Sequence, residues 1–174
     1  EKLEYRGYDS AGIAIINSET KKIVCNKAEG KLKYLKNIVK NTEILGTVGI
    51  GHTRWATHGK PEVKNAHPHI DSSGKVAVVQ NGIIENYQEL KNKLEKEGVV
   101  FNSDTDTEVI PHLIQKELFA LSQLKLENNG STLLVAVRNV ISDLEGSYAL
   151  AVLWDGAPDS LVVARRQAPL IIGL

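Results

Sequence analysis

The chain is short of cysteine, of unbalanced charge and of long apolar runs, and each shortage narrows what it can be. A single cysteine, Cys25, excludes an intramolecular disulfide framework and fits a reducing, cytoplasmic compartment. Lysine plus arginine number 21 and aspartate plus glutamate also 21, so the formal charge is +0. With no run of arginine and lysine, that balance offers no electrostatic attraction to nucleic acid or to a membrane surface. There is no stretch of 18 apolar residues and no signal-peptide pattern. There is also no initiating methionine. The chain opens on Glu1-Lys2-Leu3-Glu4-Tyr5 and closes on Leu170-Ile171-Ile172-Gly173-Leu174, so both ends read as interior to a longer protein.

What is present suffices for one domain with a sizeable core: 174 residues, 42% of them hydrophobic. Residues 13–16 are continuously apolar and predict a strand buried on both faces. A turn at Asn17-Ser18 then leads to a hairpin partner at 22–26. Cys25 falls inside that partner and reads as structural. A short helix is predicted over 33–39, with Leu32, Leu35 and Val39 on one face, and a strand over 47–52. Residues 61–68 read as loop and 75–80 as a strand running into Asn81-Gly82. That pair is expected to form a tight corner before a helix carrying Tyr87, Leu90 and Leu94. Asn86 with Glu89, and Thr105 with Glu108, are candidate capping boxes.

Gly98 is expected to stop the first of these helices, followed by a short strand at 99–101. Pro111 sits awkwardly in the next helical pattern and predicts a bend or a later helix start. Residues 123–130 read as linker and 132–144 as a further amphipathic helix. Strands at 148–154 and 161–165 follow, then a last strand in the final apolar run. Strands come in sets of two with helices between the sets, which excludes a regular βαβ alternation and favours layered sheets with helices outside.

The densest chemistry lies in Gly51-His52-Thr53-Arg54-Trp55-Ala56-Thr57-His58-Gly59, where two imidazoles, a guanidinium, an indole and two hydroxyls fall within nine residues. The Arg54 guanidinium is a rigid donor fork suited to a carboxylate or phosphate, and Thr57, His58 and backbone N–H groups near Gly59 could complete an anion site. The competing reading is a loop whose polar groups satisfy one another, with Arg54 paired to a structural carboxylate.

Four segments then coincide: Glu4-Tyr5-Arg6-Gly7-Tyr8-Asp9-Ser10-Ala11-Gly12, residues 52–59, Asn65-Ala66-His67-Pro68-His69, and Asn81-Gly82-Ile83-Ile84-Glu85-Asn86. Together with residues 103–109 they resemble the glutaminase domain of the glutamine–fructose-6-phosphate aminotransferase family, within the glutamine amidotransferases that carry an N-terminal cysteine nucleophile. The resemblance runs the whole length of the chain. It implies an α+β, N-terminal-nucleophile hydrolase fold: a four-layer αββα sandwich of two mainly antiparallel sheets, here truncated at both ends. It implies L-glutamine as ligand, fructose 6-phosphate as acceptor in a domain outside this chain, no cofactor and no metal, and a homodimer or larger assembly at full length. By the same resemblance Arg54 would hold the glutamine α-carboxylate with help from Thr57 and His58. Asp106 would receive the α-ammonium, and Asn81 and Gly82 would form the oxyanion hole. Trp55 would lie near the ammonia exit, and His67 near the pocket, a purely structural role being its alternative.

The chain departs from the family at the nucleophile. The family's cysteine opens an N-terminal strand and uses its own α-amine as base, and the stretch beginning at Glu1 does not include it. Cys25, mid-strand, has no free α-amine, so this stretch alone is expected to hydrolyse nothing. Two other functions compete with the glutaminase half of an aminotransferase: a non-catalytic glutamine-binding or regulatory module of the same fold, and an amidotransferase with another acceptor.

Overall fold

A computed structural model describes residue 5 and residues 7–42, 45–55 and 59–173. Two antiparallel sheets stack face to face. In the first, β1 (Ser10–Ile16) lies between β2 (Ile23–Glu29) and β3 (Gly49–Arg54). β1 pairs Ala14 with Cys25 on one side and with Ile50 on the other. The Asn17 carboxamide makes the hairpin by accepting the N–H groups of Glu19 and Thr20 at 3.0 and 2.9 Å. The second sheet runs β4 (His69–Ile70), β5 (Val76–Ile84), β6 (Gly146–Trp154), β7 (Val162–Arg166). The strand predicted over 47–52 is shifted, so Arg54 is a strand residue and not part of the following loop.

Four α-helices are described: α1 (Leu32–Lys40), α2 (Tyr87–Lys96), α3 (Val109–Gln123) and α4 (Gly130–Ser142). Three apolar contact zones stack in order, because alternate residues of each strand face opposite ways. Leu35, with Leu32 and Val39, covers Ala11, Ile13 and Ala28 of the first sheet. Its other face places Ala14, Ile16 and Ile50 against Ala77 and Leu153 of the second sheet. Beyond that sheet, Val76, Val78, Leu150 and Val152 meet Ile110, Ile114, Leu118, Leu133 and Val137 of α3 and α4. Helix, sheet, sheet, helix is the four-layer α+β sandwich the sequence reading expected. The run at 13–16 is covered from both sides accordingly.

Several local expectations are corrected. Asn81-Gly82 is not a corner: β5 continues through it to Ile84, pairing Asn81 with Ala149 and Gly82 with Tyr148. Neither capping box forms. Asn86 precedes α2, but its carboxamide accepts from Glu145 N–H (3.0 Å) and donates to Asp143 O (2.8 Å). Glu108 instead accepts from Asn102 N–H, Ser103 N–H and Ser103 Oγ at 2.8, 2.7 and 2.5 Å. The working cap is Asn129, which accepts Thr132 N–H at 3.0 Å at the start of α4. A 3₁₀ turn at Asp106–Glu108 precedes α3, so the helix starts late and Pro111 lies in its first turn, where no backbone donor is missed. Residues 99–101 form no strand, since Val99 N–H is used by Leu94 O at the end of α2 (3.0 Å). Residues 170–173 form none either: Ile171 is 91% exposed, with no strand beside it among the described residues.

Candidate active site

One cleft, of about 200 Å³, collects Arg54, Trp55, His67, Asn81, Gly82 and Asp106, together with His52, Thr53, Gln80 and Thr105. Six of the eight residues singled out from the sequence thus share one opening. Thr57 and His58 lie outside the described residues. The cleft sits where the ends of the two sheets meet: β3 brings His52 and Arg54 from one, and β5 brings Gln80, Asn81 and Gly82 from the other.

Arg54 is buried, and its guanidinium donates to Gly59 O (3.3 Å) and Lys60 O (3.4 Å), carbonyls that orient the fork without cancelling its charge. Burial lowers its pKa, while Asp9 and Asp106 oppose that shift. Asp106 is buried on the 3₁₀ turn, where its Oδ2 accepts Ile84 N–H at 2.8 Å. This bond ties the carboxylate to the end of β5. Asn65, fully buried, connects the two charged ends. Its Nδ2 donates to Lys60 O (3.0 Å) and Asp104 Oδ2 (3.3 Å), and its Oδ1 accepts Asp104 N–H (2.9 Å). Glu108 fixes the same loop from the other side. Burial pushes its carboxyl up, but hydrogen bonds from Asn102 and Ser103, with His112 3.8 Å away, outweigh this and hold it below the usual carboxylate range.

Asn81 Oδ1 accepts from His52 Nε2 at 2.8 Å. Gly82 adopts φ +116°, and a Cβ there would collide with Ser147 O, so only glycine fits this step of the strand. Trp55 is 60% exposed at the rim, edge-on to Tyr8 at 5.4 Å.

His67 stands under His52 with ring centroids 4.4 Å apart and planes 20° from parallel, and His69 meets His67 edge-on at 4.7 Å. The His67 loop lies directly on β1, for a Cβ at Gly12 would strike the His67 carbonyl oxygen. His67 Nδ1 accepts Gln80 N–H (3.2 Å), which leaves the proton on Nε2 facing Thr107 Oγ1 (3.4 Å); Thr107 Oγ1 donates onward to Gln80 Oε1 (2.6 Å). Burial, then the neighbouring His69, His52, Arg54 and Lys27, lower the His67 pKa well below its ordinary value. This imidazole is a fixed neutral element of the cleft floor.

Sequence reasoning missed His52, Gln80, Thr105, Thr107 and Asn65 as contributors, because each acts through a neighbour distant in the chain. Cys25 does not enter the cleft. It lines a second cavity with Lys27, His69 and Glu108, and burial pushes its thiol pKa up. Among the described residues, no group of three or more His, Cys, Asp or Glu is arranged to hold a metal ion, and no helix is long and apolar enough to cross a membrane.

A buried guanidinium, a buried carboxylate and a carboxamide thus face one small cleft. The chain is 56% identical over 173 residues to a glutamine–fructose-6-phosphate aminotransferase (isomerizing) of Thermosynechococcus vestitus, covering 99% of this chain and 26% of that protein. It is 53% identical to the like-named protein of Methanosarcina acetivorans, over 100% of this chain and 28% of that one. The chain therefore spans about a quarter of the length of the curated relatives it matches. Among solved structures, a glutamine phosphoribosylpyrophosphate amidotransferase from B. subtilis, complexed with ADP and GMP, superposes with TM-score 0.68 at 29% identity, over 94% of this chain and 32% of that one. An allosteric regulatory enzyme of purine biosynthesis gives TM-score 0.72 at 28% identity, over 94% and 32%. The sandwich is thus that of the N-terminal-nucleophile amidotransferases. The glutamine amidotransferase domain family matches residues 52–173, a span holding every residue that lines the cleft, and to that family the chain belongs.

Proposed function

We propose that the chain is the glutaminase part of an enzyme that releases ammonia from L-glutamine and transfers it to fructose 6-phosphate, giving glutamate and glucosamine 6-phosphate. The observation that carries this reading is the shared cleft of Arg54, Asp106, Asn81 and Gly82. The substrate's α-carboxylate meets the Arg54 fork, with Thr57 and His58 assisting, and its α-ammonium meets Asp106. The side-chain amide then lies toward Asn81 and Gly82, whose N–H donors receive the negative charge that develops on the amide oxygen. Trp55 lies by the route along which ammonia leaves, and His67 supports the pocket from below.

The reaction needs a thiolate to attack the amide carbon and form a glutamyl thioester. Cys25, mid-strand and outside the cleft, is not suited to this. The reading assigns the step to a cysteine upstream of Glu1 in the full-length protein, whose α-amine takes the thiol proton and passes it to the departing ammonia. The fructose 6-phosphate site belongs to a following sugar-isomerase domain. The resemblance supports a homodimer or larger assembly and a cytoplasmic location. The acceptor rests on the relatives at 50–56% identity, all named for fructose 6-phosphate, against 28–29% for the purine-pathway structures.

In the full-length protein, Arg54→Ala should weaken glutamine binding by about 2–5 kcal/mol, the cost of leaving one partner of a desolvated charge pair. Glucosamine 6-phosphate formation from supplied ammonia should persist, with the melting temperature little changed. Loss of both rates together with a large drop in melting temperature would mean that Arg54 pairs structurally and clamps no ligand.

A further inference from the structure

We infer that His52 is a positioning residue whose Nε2–H holds the Asn81 carboxamide so that its NH₂ faces the cleft. The inference rests on the glutaminase reading of that cleft and assigns a part that the reading leaves open. A primary carboxamide can turn over about its last side-chain torsion, and turned over it would present a carbonyl oxygen to a developing oxyanion. Something has to select one orientation. Asn81 Oδ1, which only accepts, lies 2.8 Å from His52 Nε2, so this nitrogen carries the proton and the oxygen is engaged. The Asn81 NH₂ is then left without a partner among the described residues, on a side chain that lines the cleft.

The rest of His52 is arranged to keep that tautomer. Its Nδ1 is sealed from solvent and finds no partner among the described residues, which is tolerable for a lone pair and costly for an N–H. A second proton, added at Nδ1 while Nε2 keeps its own, would put a cation 4.4 Å from the His67 ring and close to Arg54. Burial, the largest influence, lowers the His52 pKa; the bond to Asn81 raises it and Arg54 lowers it further. His67 is itself fixed by Gln80 N–H and Thr107, so the ring that His52 stacks on cannot turn. The same geometry argues against His52 as a general base: one nitrogen is committed to Asn81 and the other is closed off from the cleft. His52 and Asn81 come from different sheets, β3 and β5, and the bond crosses between them.

The test separates the donor from the ring. In the full-length protein, His52→Phe keeps an aromatic plane over His67 and removes the donor, whereas His52→Gln gives up the stacking and returns an N–H near the Nε2 position. The expected result is a fall in kcat for glutamine hydrolysis of about tenfold to a hundredfold in His52→Phe, the scale of a misplaced reacting group. KM for glutamine and the ammonia-dependent rate should stay within about threefold, and His52→Gln should recover most of the kcat. Asn81→Ala should be slow too, and adding His52→Phe to it should slow it no further. His52→Phe at parental kcat, or Phe active with Gln inactive, would overturn the proposal, as would equal further losses in the Asn81→Ala background. If Asn81→Ala itself hydrolyses glutamine normally, the oxyanion assignment fails first, which keeps the two failures distinct.

Discussion

His67 and His69 are buried as neutral imidazoles, and that makes stability depend on pH above the carboxylate range. Burial is the main cause for both. His67 also faces His69, His52, Arg54 and Lys27; His69 faces Lys27, Arg54 and His52, with only Glu108 opposing. In the unfolded chain each titrates near pH 6.5, so below that pH the unfolded state binds protons that the folded state refuses. Their contribution is fully present above pH 6.5 and falls as the pH drops, by about 1.4 kcal/mol per pH unit for each histidine. Urea unfolding between pH 7.5 and 5 should show this slope, to which His52 adds in the same direction, and His67→Gln should lower it by about 1.4 kcal/mol per pH unit. A flat profile over that interval would mean the imidazoles protonate in place. At this scale the sequence was legible where residue type alone carries meaning. Arg54 was readable from its donor fork, whereas Asp106 and Asn81 were singled out by the family resemblance, and all three line one cleft. Nothing local announces that Asn65 joins Lys60 to Asp104, or that Thr107 receives the proton of His67, since these links span about 40 residues of chain.

At the scale of elements, β5 carries the clearest lesson. Asn-Gly before two isoleucines reads locally as a turn, yet pairing with Ala149 and Tyr148 of β6 keeps the chain extended through it. Tertiary pairing overrides the dipeptide preference. Gly82 does adopt the positive φ that an Asn-Gly corner would use, but within a strand. Gly82→Ala should accordingly destabilise by at least about 1–3 kcal/mol, because a side chain meets both an unfavourable φ and the Ser147 carbonyl. Amide exchange should accelerate along Val76–Ile84 and Gly146–Trp154 before it does elsewhere. An unchanged urea midpoint would refute this. The apolar segments at 99–101 and 170–173 mislead for the complementary reason: β propensity without a free neighbouring strand makes no strand. Helices were better read, since a face such as Leu35 on α1 or Ile110, Ile114 and Leu118 on α3 is visible in the spacing itself.

For the molecule as a whole, paired strands separated by helical stretches were enough to foresee layered sheets with helices outside; that there are two, packed face to face, came from the family resemblance, and the sheets meet so. Their interface contains alanines, Ala14 and Ala77, both fully buried among Ile16, Ile50 and Leu153. Ala77→Leu should overpack it and cost about 1–3 kcal/mol. By easing the sheets apart it should also slow glutamine hydrolysis in the full-length protein more than ammonia-dependent turnover. Equal effects on both rates would detach the interface from the cleft. On the glutaminase reading, the two ends of the ligand are gripped from different leaves: the carboxylate at Arg54 on β3, the reacting amide at Asn81 on β5. The thickness of the interleaf packing then serves as a ruler for substrate length. Asparagine, one methylene shorter, would be gripped at one end and fall short at the other, and it would be rejected without any residue having to touch the methylene it lacks.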